Sequence, residues 1–179
     1  MNKGFTLIET IVVIAILAVM ATIVFSSISS SNPQILDGIS ISTAEAFYPE
    51  PDNYAVDVAG ALTPEQLIDL NAKLKTMDSD KHQFGVVIVE TTQPLSIEEY
   101  GIKLAEKWKV GYKGLDNGAI VILATKDRKV RIEVGYGLEG DINDAKAGRI
   151  IDNYIPSLKV GDWNSAIIGM VDELNKNIK

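Results

Sequence analysis

Between Phe5 and Phe25 the chain carries one charged residue, Glu9, and from Ile11 to Phe25 it is apolar except for Thr22. As a helix this stretch would rise roughly 32 Å at 1.5 Å per residue, enough to cross the hydrocarbon of a bilayer. It therefore reads as an address and an anchor rather than as part of a globular fold. A carboxylate in such a span costs about 2.5–3.5 kcal/mol at mid-bilayer, so Glu9 calls for a partner. Two plainer readings leave Glu9 without one. A plain membrane anchor explains the apolar run alone. An ordinary secretory signal would be cut just beyond its apolar core, where small-residue sites at Ser27–Ser29 stand. The Ala44-Glu45-Ala46 triplet lies too far downstream for such a cut.

The residues in front of the run are more specific. Lys3-Gly4-Phe5-Thr6-Leu7-Ile8-Glu9 resembles the processing site of type IV prepilins and pseudopilins: a small residue at the cut, Phe after it, and Glu at the fifth mature position. The resemblance implies that a prepilin peptidase cleaves between Gly4 and Phe5 on the cytoplasmic side and that the new Phe5 amine is methylated. It also implies that Glu9 neutralises the terminal amine of a neighbouring subunit. Residues 1–4 are then a leader, 5–25 a transmembrane, pilin-like helix, and everything beyond is extracytoplasmic, with pilin or pseudopilin subunits as expected partners. Residues 26–53 are rich in serine and punctuated by Pro33, Pro49 and Pro51, and they read as a linker. Major pilins continue their first helix into the globular head, so this chain departs from them.

What remains is the size of one ordinary domain within the 179 residues. Cysteine is absent and His82 is the only histidine, which removes disulfides, zinc–thiolate sites and thiol nucleophiles. A net charge of −7 argues against a nucleic-acid partner, whose backbone demands clustered Lys and Arg. Carboxylate and amide oxygens are left as ligands, and they suit Ca²⁺ or Mg²⁺ better than Zn²⁺.

From Tyr54 the pattern is α/β. Thr63-Pro64-Glu65-Gln66 is a capping box with proline at the first helical position, followed by Leu67, Leu70, Leu74 and Met77 at helical spacing. Ser96 to Glu99 opens a second helix with Ile97, Tyr100, Leu104 and Trp108 on one face. Phe84–Val89 and Ala119–Ala124 are continuous apolar runs, the mark of strands covered on both faces. Lys129–Val134 alternates, with Arg131 and Glu133 on a wetter side. A third helix is predicted around Ala147 to Tyr154, ending before Pro156, and a fourth from Trp163 to Ile178. Interleaved strands and amphipathic helices predict a sheet with helices on both faces.

Gly135, Gly137 and Gly140 spell a literal GxGxxG after a strand. No second strand follows the next helix, so a dinucleotide site is not expected, and a tight turn that packs closely or lets backbone approach a ligand is. Acidic and amide residues gather at strand ends: Asp57 after the first strand, Asp116-Asn117-Gly118 before the third, and Glu133, Glu139, Asp141, Asn143 and Asp144 around the glycine turn. Spacing alone leaves a metal site and a set of turn and cap residues about level.

Val56-Asp57-Val58-Ala59-Gly60-Ala61-Leu62-Thr63-Pro64, Asp116-Asn117-Gly118-Ala119-Ile120-Val121, and Arg131 to Gly140 with Asp144 resemble, in this order and spacing, the TPM-domain family. The resemblance runs from about Tyr54 to the end of the sequence. It implies a three-layer α/β/α sandwich with a mixed sheet and an acidic pocket at a sheet edge, lined by Asp57, Asp116, Asn117 and Asp144 with Glu139 nearby. Ca²⁺ binding goes with some members and acid phosphatase activity with a plant member. The expected function is thus an extracytoplasmic, Ca²⁺-binding interaction or assembly module, with a metal-dependent phosphatase as the alternative. Many bacterial relatives end in a glycine-rich tail and a membrane helix, whereas here the anchor is expected at the N-terminus.

Overall fold

The structure is a computed structural model and describes residues 45–179. Gly4, Phe5 and Glu9, the expected helix 5–25 and most of the expected linker lie outside the described residues. Among the described residues no helix is long and apolar enough to cross a membrane.

A four-stranded mixed sheet runs in the order β1 (Ala55–Asp57), β2 (Gln83–Val89), β3 (Gly118–Ala124), β4 (Lys129–Val134). The first three strands are parallel, with Ala55 opposite Val86 and Gln83 opposite Gly118. β4 returns antiparallel, with Ala124 opposite Lys129 and Ala119 opposite Val134. Helix α1 (Pro64–Met77) links β1 to β2 and α2 (Ile97–Trp108) links β2 to β3; α3 (Asp144–Lys159) and α4 (Trp163–Asn177) follow β4. The expected capping box of Thr63 with Gln66 forms, and Ser96 with Glu99 makes a second one at the start of α2; each satisfies two helix-end donors. Leu70 and Leu74 of α1 and Ile97, Tyr100, Leu104 and Trp108 of α2 are buried, as their spacing requires.

Alternation along β2 and β3 divides the core in two. Val86, Ile88, Val121 and Leu123 face α1, α3 and α4, while Val87, Val89, Ile120 and Ile122 face α2, so helices cover both faces of the sheet. Two parallel crossovers thus step the same way across the sheet and place their helices on opposite faces. One of them must be left-handed, against the strong right-handed rule for such connections.

The helix expected to end before Pro156 instead runs through it to Lys159. Proline removes the bond to the carbonyl of Asp152. Both residues are exposed, so water can donate to that carbonyl in place of the missing N–H and the last turn survives. The end of the expected linker has no helix or strand but is fastened to α2. Tyr48 stacks on Tyr100 with ring centroids 4.8 Å apart. The Tyr100 hydroxyl donates to the Phe47 carbonyl and the Trp108 indole N–H to that of Pro49, each at 2.9 Å. Burial beneath this strap pushes the Tyr100 hydroxyl pKa far above its usual value. Among the described residues both halves of the core are drawn from between Ala46 and Ile178, and they form a compact unit with a core of its own, the requirement for a domain to fold alone.

Candidate functional site

Strand direction sorts the acidic residues. Asp57 is the last residue of β1, level with Ile88 near the carboxyl end of β2, whereas Asp116 and Asn117 precede the first residue of β3. The two groups lie at opposite ends of the parallel strands. With seven residues in β3 and about 3.3 Å of rise per residue, the separation is roughly 20 Å. Glu139 and Asp144 follow the end of antiparallel β4 and so share the Asp116 end. The pocket expected from Asp57 together with Asp116, Asn117 and Asp144 is therefore not brought together by the fold.

Asp57 is engaged elsewhere. Its two carboxylate oxygens accept from the backbone N–H groups of Ala59 (3.0 Å) and Leu62 (2.8 Å) and close the loop into α1. Asn117 is likewise committed: it is 5 % exposed, its Oδ1 accepts from the Tyr112 N–H, and its Nδ2 donates to the Asp80 carbonyl. Glu133 faces α2 and pairs with Arg131 at 2.6 Å. Asn143, not Asp144, caps α3; its Oδ1 accepts from the Lys146 N–H.

Asp116, Glu139 and Asp144 differ. All three are exposed, and no hydrogen bond or ion pair to their side chains is found among the described residues. Asp116 is held in the left-handed region at φ 49°, where side-chain-bearing residues are uncommon. The glycine turn holds it there. The Gly137 N–H donates to the Asp116 carbonyl at 3.0 Å, and a Cβ on Gly137 would stand 2.0 Å from the Leu115 carbonyl oxygen. Gly135 is equally confined, with a Cβ 2.2 Å from the Asp116 carbonyl oxygen. These two glycines thus serve close packing on the Asp116 loop. Gly140 meets nothing within 4 Å and has no such role.

Beside this loop is a network that spacing did not reveal. Asp78, just past the end of α1, accepts from the hydroxyls of Tyr54 (2.6 Å) and Tyr112 (2.8 Å) and from Gln83 Nε2 (3.3 Å). Burial pushes its pKa up, but these hydrogen bonds outweigh that and hold the carboxyl below its usual range. The same bonds raise Tyr54 and Tyr112. Gln83 and Tyr54 also line a cleft of about 340 Å³ with Trp108 and Val110. The one visible signal was Asp78 itself, a cap-type residue after a helical run.

The donor types at the Asp116 end suit a hard cation. Among the described residues, however, no three carboxylates or histidines stand close enough to hold a metal ion. Asn117 is buried with its oxygen already bonded to the Tyr112 N–H, so a closed coordination shell does not fit this arrangement.

The opposite end carries positive charge. Lys126, Arg128 and Lys129 lie in or beside the β3–β4 turn, far from Asp116. Lys126 pairs with Glu90 at 2.6 Å, and Asp127 is drawn to Thr91 Oγ1 and to the backbone and hydroxyl of Thr92.

Comparisons with known proteins agree with this architecture. A family model described as the TPM domain matches residues 55–177, and one described as the prokaryotic N-terminal methylation motif matches residues 1–25. The solution structure of the N-terminal domain of a P. gingivalis protein is similar at 27 % identity and a TM-score of 0.63, covering 73 % of this chain and 91 % of that one. An N-terminal domain from Corynebacterium glutamicum superposes at 15 % identity and a TM-score of 0.56, covering 77 % and 90 %. A protein of the psychrophilic bacterium Bizionia argentinensis does so at 14 % and 0.58, covering 67 % and 83 %. At those identities the last two speak to the fold alone. No curated protein matches the chain.

Proposed function

The chain belongs to the TPM domain family and opens with a prokaryotic N-terminal methylation motif, and from that premise we propose that it is a membrane-anchored, extracytoplasmic interaction module. In this reading prepilin peptidase cuts between Gly4 and Phe5, the Phe5 amine is methylated, and Glu9 neutralises that amine on a neighbouring pilin-like subunit. The working end of the domain is the Asp116 loop. The observation that carries this is the contrast in side-chain commitment. Asp116 sits in an uncommon backbone conformation clamped by Gly135 and Gly137, and its carboxylate and those of Glu139 and Asp144 find no partner among the described residues. Backbone held off its preferred region with open polar groups is a reason to look for function there.

A Ca²⁺ or Mg²⁺ ion at this end would be held by one or two carboxylates, with water or a partner's oxygens completing the shell, a weak and open mode that hard cations accept. Ion binding to the folded state alone adds RT ln(1 + [L]/Kd), about 2.7 kcal/mol at a hundredfold excess. The test is thermal melting of residues 45–179 with and without Ca²⁺. Ca²⁺ raises Tm, and Asp116→Ala or Asp144→Ala removes the rise while Asp57→Ala, though less stable, retains it. A Tm indifferent to divalent cations overturns the ion-binding part. Metal-dependent hydrolysis of a phosphomonoester that vanishes in the Asp116 and Asp144 variants favours the phosphatase alternative over the module. Intact mass of the membrane-bound protein checks the anchor: a chain starting at methylated Phe5 supports it, and one starting near Ser27 overturns it.

A further inference from the structure

A cavity of about 490 Å³ opens at the carboxyl end of β3, between the β3–β4 turn and the α3–α4 junction. Its walls are apolar, with Val130 from β4, Ile155 and Leu158 from α3, and Trp163, the first residue of α4. Its rim is cationic, with Arg128, Lys129 and Lys159. The size is that of a small-molecule site, and the carboxyl ends of parallel strands are where open α/β sheets commonly bind ligands.

Arg128, Lys129 and Lys159 differ from Lys126 beside them, which is paired with Glu90. Among the described residues none of the three makes an ion pair. The nearby acids aim their oxygens elsewhere: Glu90 pairs with Lys126, Asp127 accepts from Thr91 and Thr92, and Asp162 caps α4 through the Ser165 N–H, so they moderate the rim charge at a distance but make no contact pair with it. Asp127 still feels the charge of Lys129, which is among the influences that lower its pKa. Three neighbouring cations around an apolar hollow are unusual in a protein of net charge −7. Like charges held together repel, and an anion placed among them relieves that repulsion.

We infer that this cavity binds a small amphiphile with an apolar body and a single carboxylate head, the body lying against Ile155, Leu158 and Trp163 and the head among Arg128, Lys129 and Lys159. An uncharged chain of the same length would fill the walls but leave the cations unpaired. A hydrophilic anion would satisfy the rim but leave the walls wet. The inference does not depend on the membrane anchor or on any cation at the Asp116 end.

The experiment is an amide-resolved NMR titration of ¹⁵N-labelled residues 45–179 with sodium decanoate kept below its micellar concentration. Saturable shifts are expected, confined to residues 125–130 and 155–163 and to the Trp163 indole. Arg128→Asn with Lys129→Gln and Lys159→Gln should weaken binding roughly tenfold or more while spectral dispersion is unchanged, and 1-decanol should bind weaker by a similar factor. Shifts scattered over exposed apolar residues such as Ile68 and Ile102 would overturn the inference, as would equal affinity in the triple variant. Binding to phosphatidylglycerol vesicles without binding of monomeric decanoate would overturn it too, since that describes a lipid-facing surface rather than a ligand site.

Discussion

The two ends of this sheet are built from similar residue types and are put to opposite use. At the carboxyl end of the parallel strands the acids are engaged, Asp57 by two backbone donors, Asp127 by Thr91 and Thr92, and Glu90 by Lys126, and the cations Arg128, Lys129 and Lys159 make no ion pair among the described residues. At the amino end Asp78 and Asn117 are engaged, and Asp116, Glu139 and Asp144 have no side-chain partner among the described residues. An acidic residue near a strand end is therefore no guide to a site. What matters is whether its oxygens already have donors, and that divides the domain into an anion-facing pole and a cation-facing one.

The sharpest way to break this contrast is to remove the clamp that shapes one pole. Gly137→Ala places a methyl group inside the Leu115 carbonyl. The loop must move, at a cost of about 3 kcal/mol or more, read as a fall in Tm or in the urea midpoint. Next comes the engaged acid of the other pole. Asp57→Ala leaves two backbone N–H groups without their charged acceptor and should cost about 2–3 kcal/mol in urea unfolding. The corresponding change at an open acid should have the reverse sign. Asp116→Gly relieves the left-handed backbone and removes one of several like charges, so it should raise stability by up to about 1 kcal/mol while abolishing any response to Ca²⁺.

The smallest effect is pH dependence. The carboxyls of Asp78 and Asp127 are held below their unfolded value of 3.8, so the stability they contribute is present above that pH and is lost as the pH falls through their folded values. Tyr54 and Tyr112 are raised above 10.0, so their contribution is present below pH 10.0 and lost as the pH rises through the folded values. Both groups are partly wet, and solvent screening keeps the effects modest. Melting curves of Asp78→Asn against pH should show a shallower acid limb than the parent. An unchanged limb would mean that Asp78 carries none of it.

Local signals told most of the fold. The capping box at Thr63 and the apolar spacings of α1 and α2 depend on neighbours in sequence, and each formed as read, whereas the expected wetter side of β4 lies against α2, with Arg131 and Glu133 half-buried like Val130 and Val134. What was not legible depends on distant partners. Which face of the sheet each helix covers, and hence the left-handed crossover, is decided by packing between elements tens of residues apart. The same holds for Asp57: its place at a strand end was clear, but strand direction, which sets it about one strand length from Asp116, follows from sheet pairing. The glycine turn was half legible. Gly135 and Gly137 were read as packing or ligand glycines, and only the Leu115 and Asp116 carbonyls decide for packing. Pro156 misled because the carbonyl it orphans lies on a solvent-facing turn.

The strap ahead of β1 has a mechanical consequence. Load arriving through the chain from before Glu45 does not reach the sheet directly. It first meets the stacked Tyr48 and Tyr100 rings, the Tyr100 and Trp108 bonds to the Phe47 and Pro49 carbonyls, and Lys107, which grips both the Tyr48 carbonyl and Glu50. These contacts lie along α2, so a pull must peel or shear them before β1 bears tension. The strap is a cable clamp for the tether, and the sheet edge with its short first strand sits behind it, unloaded until the clamp lets go.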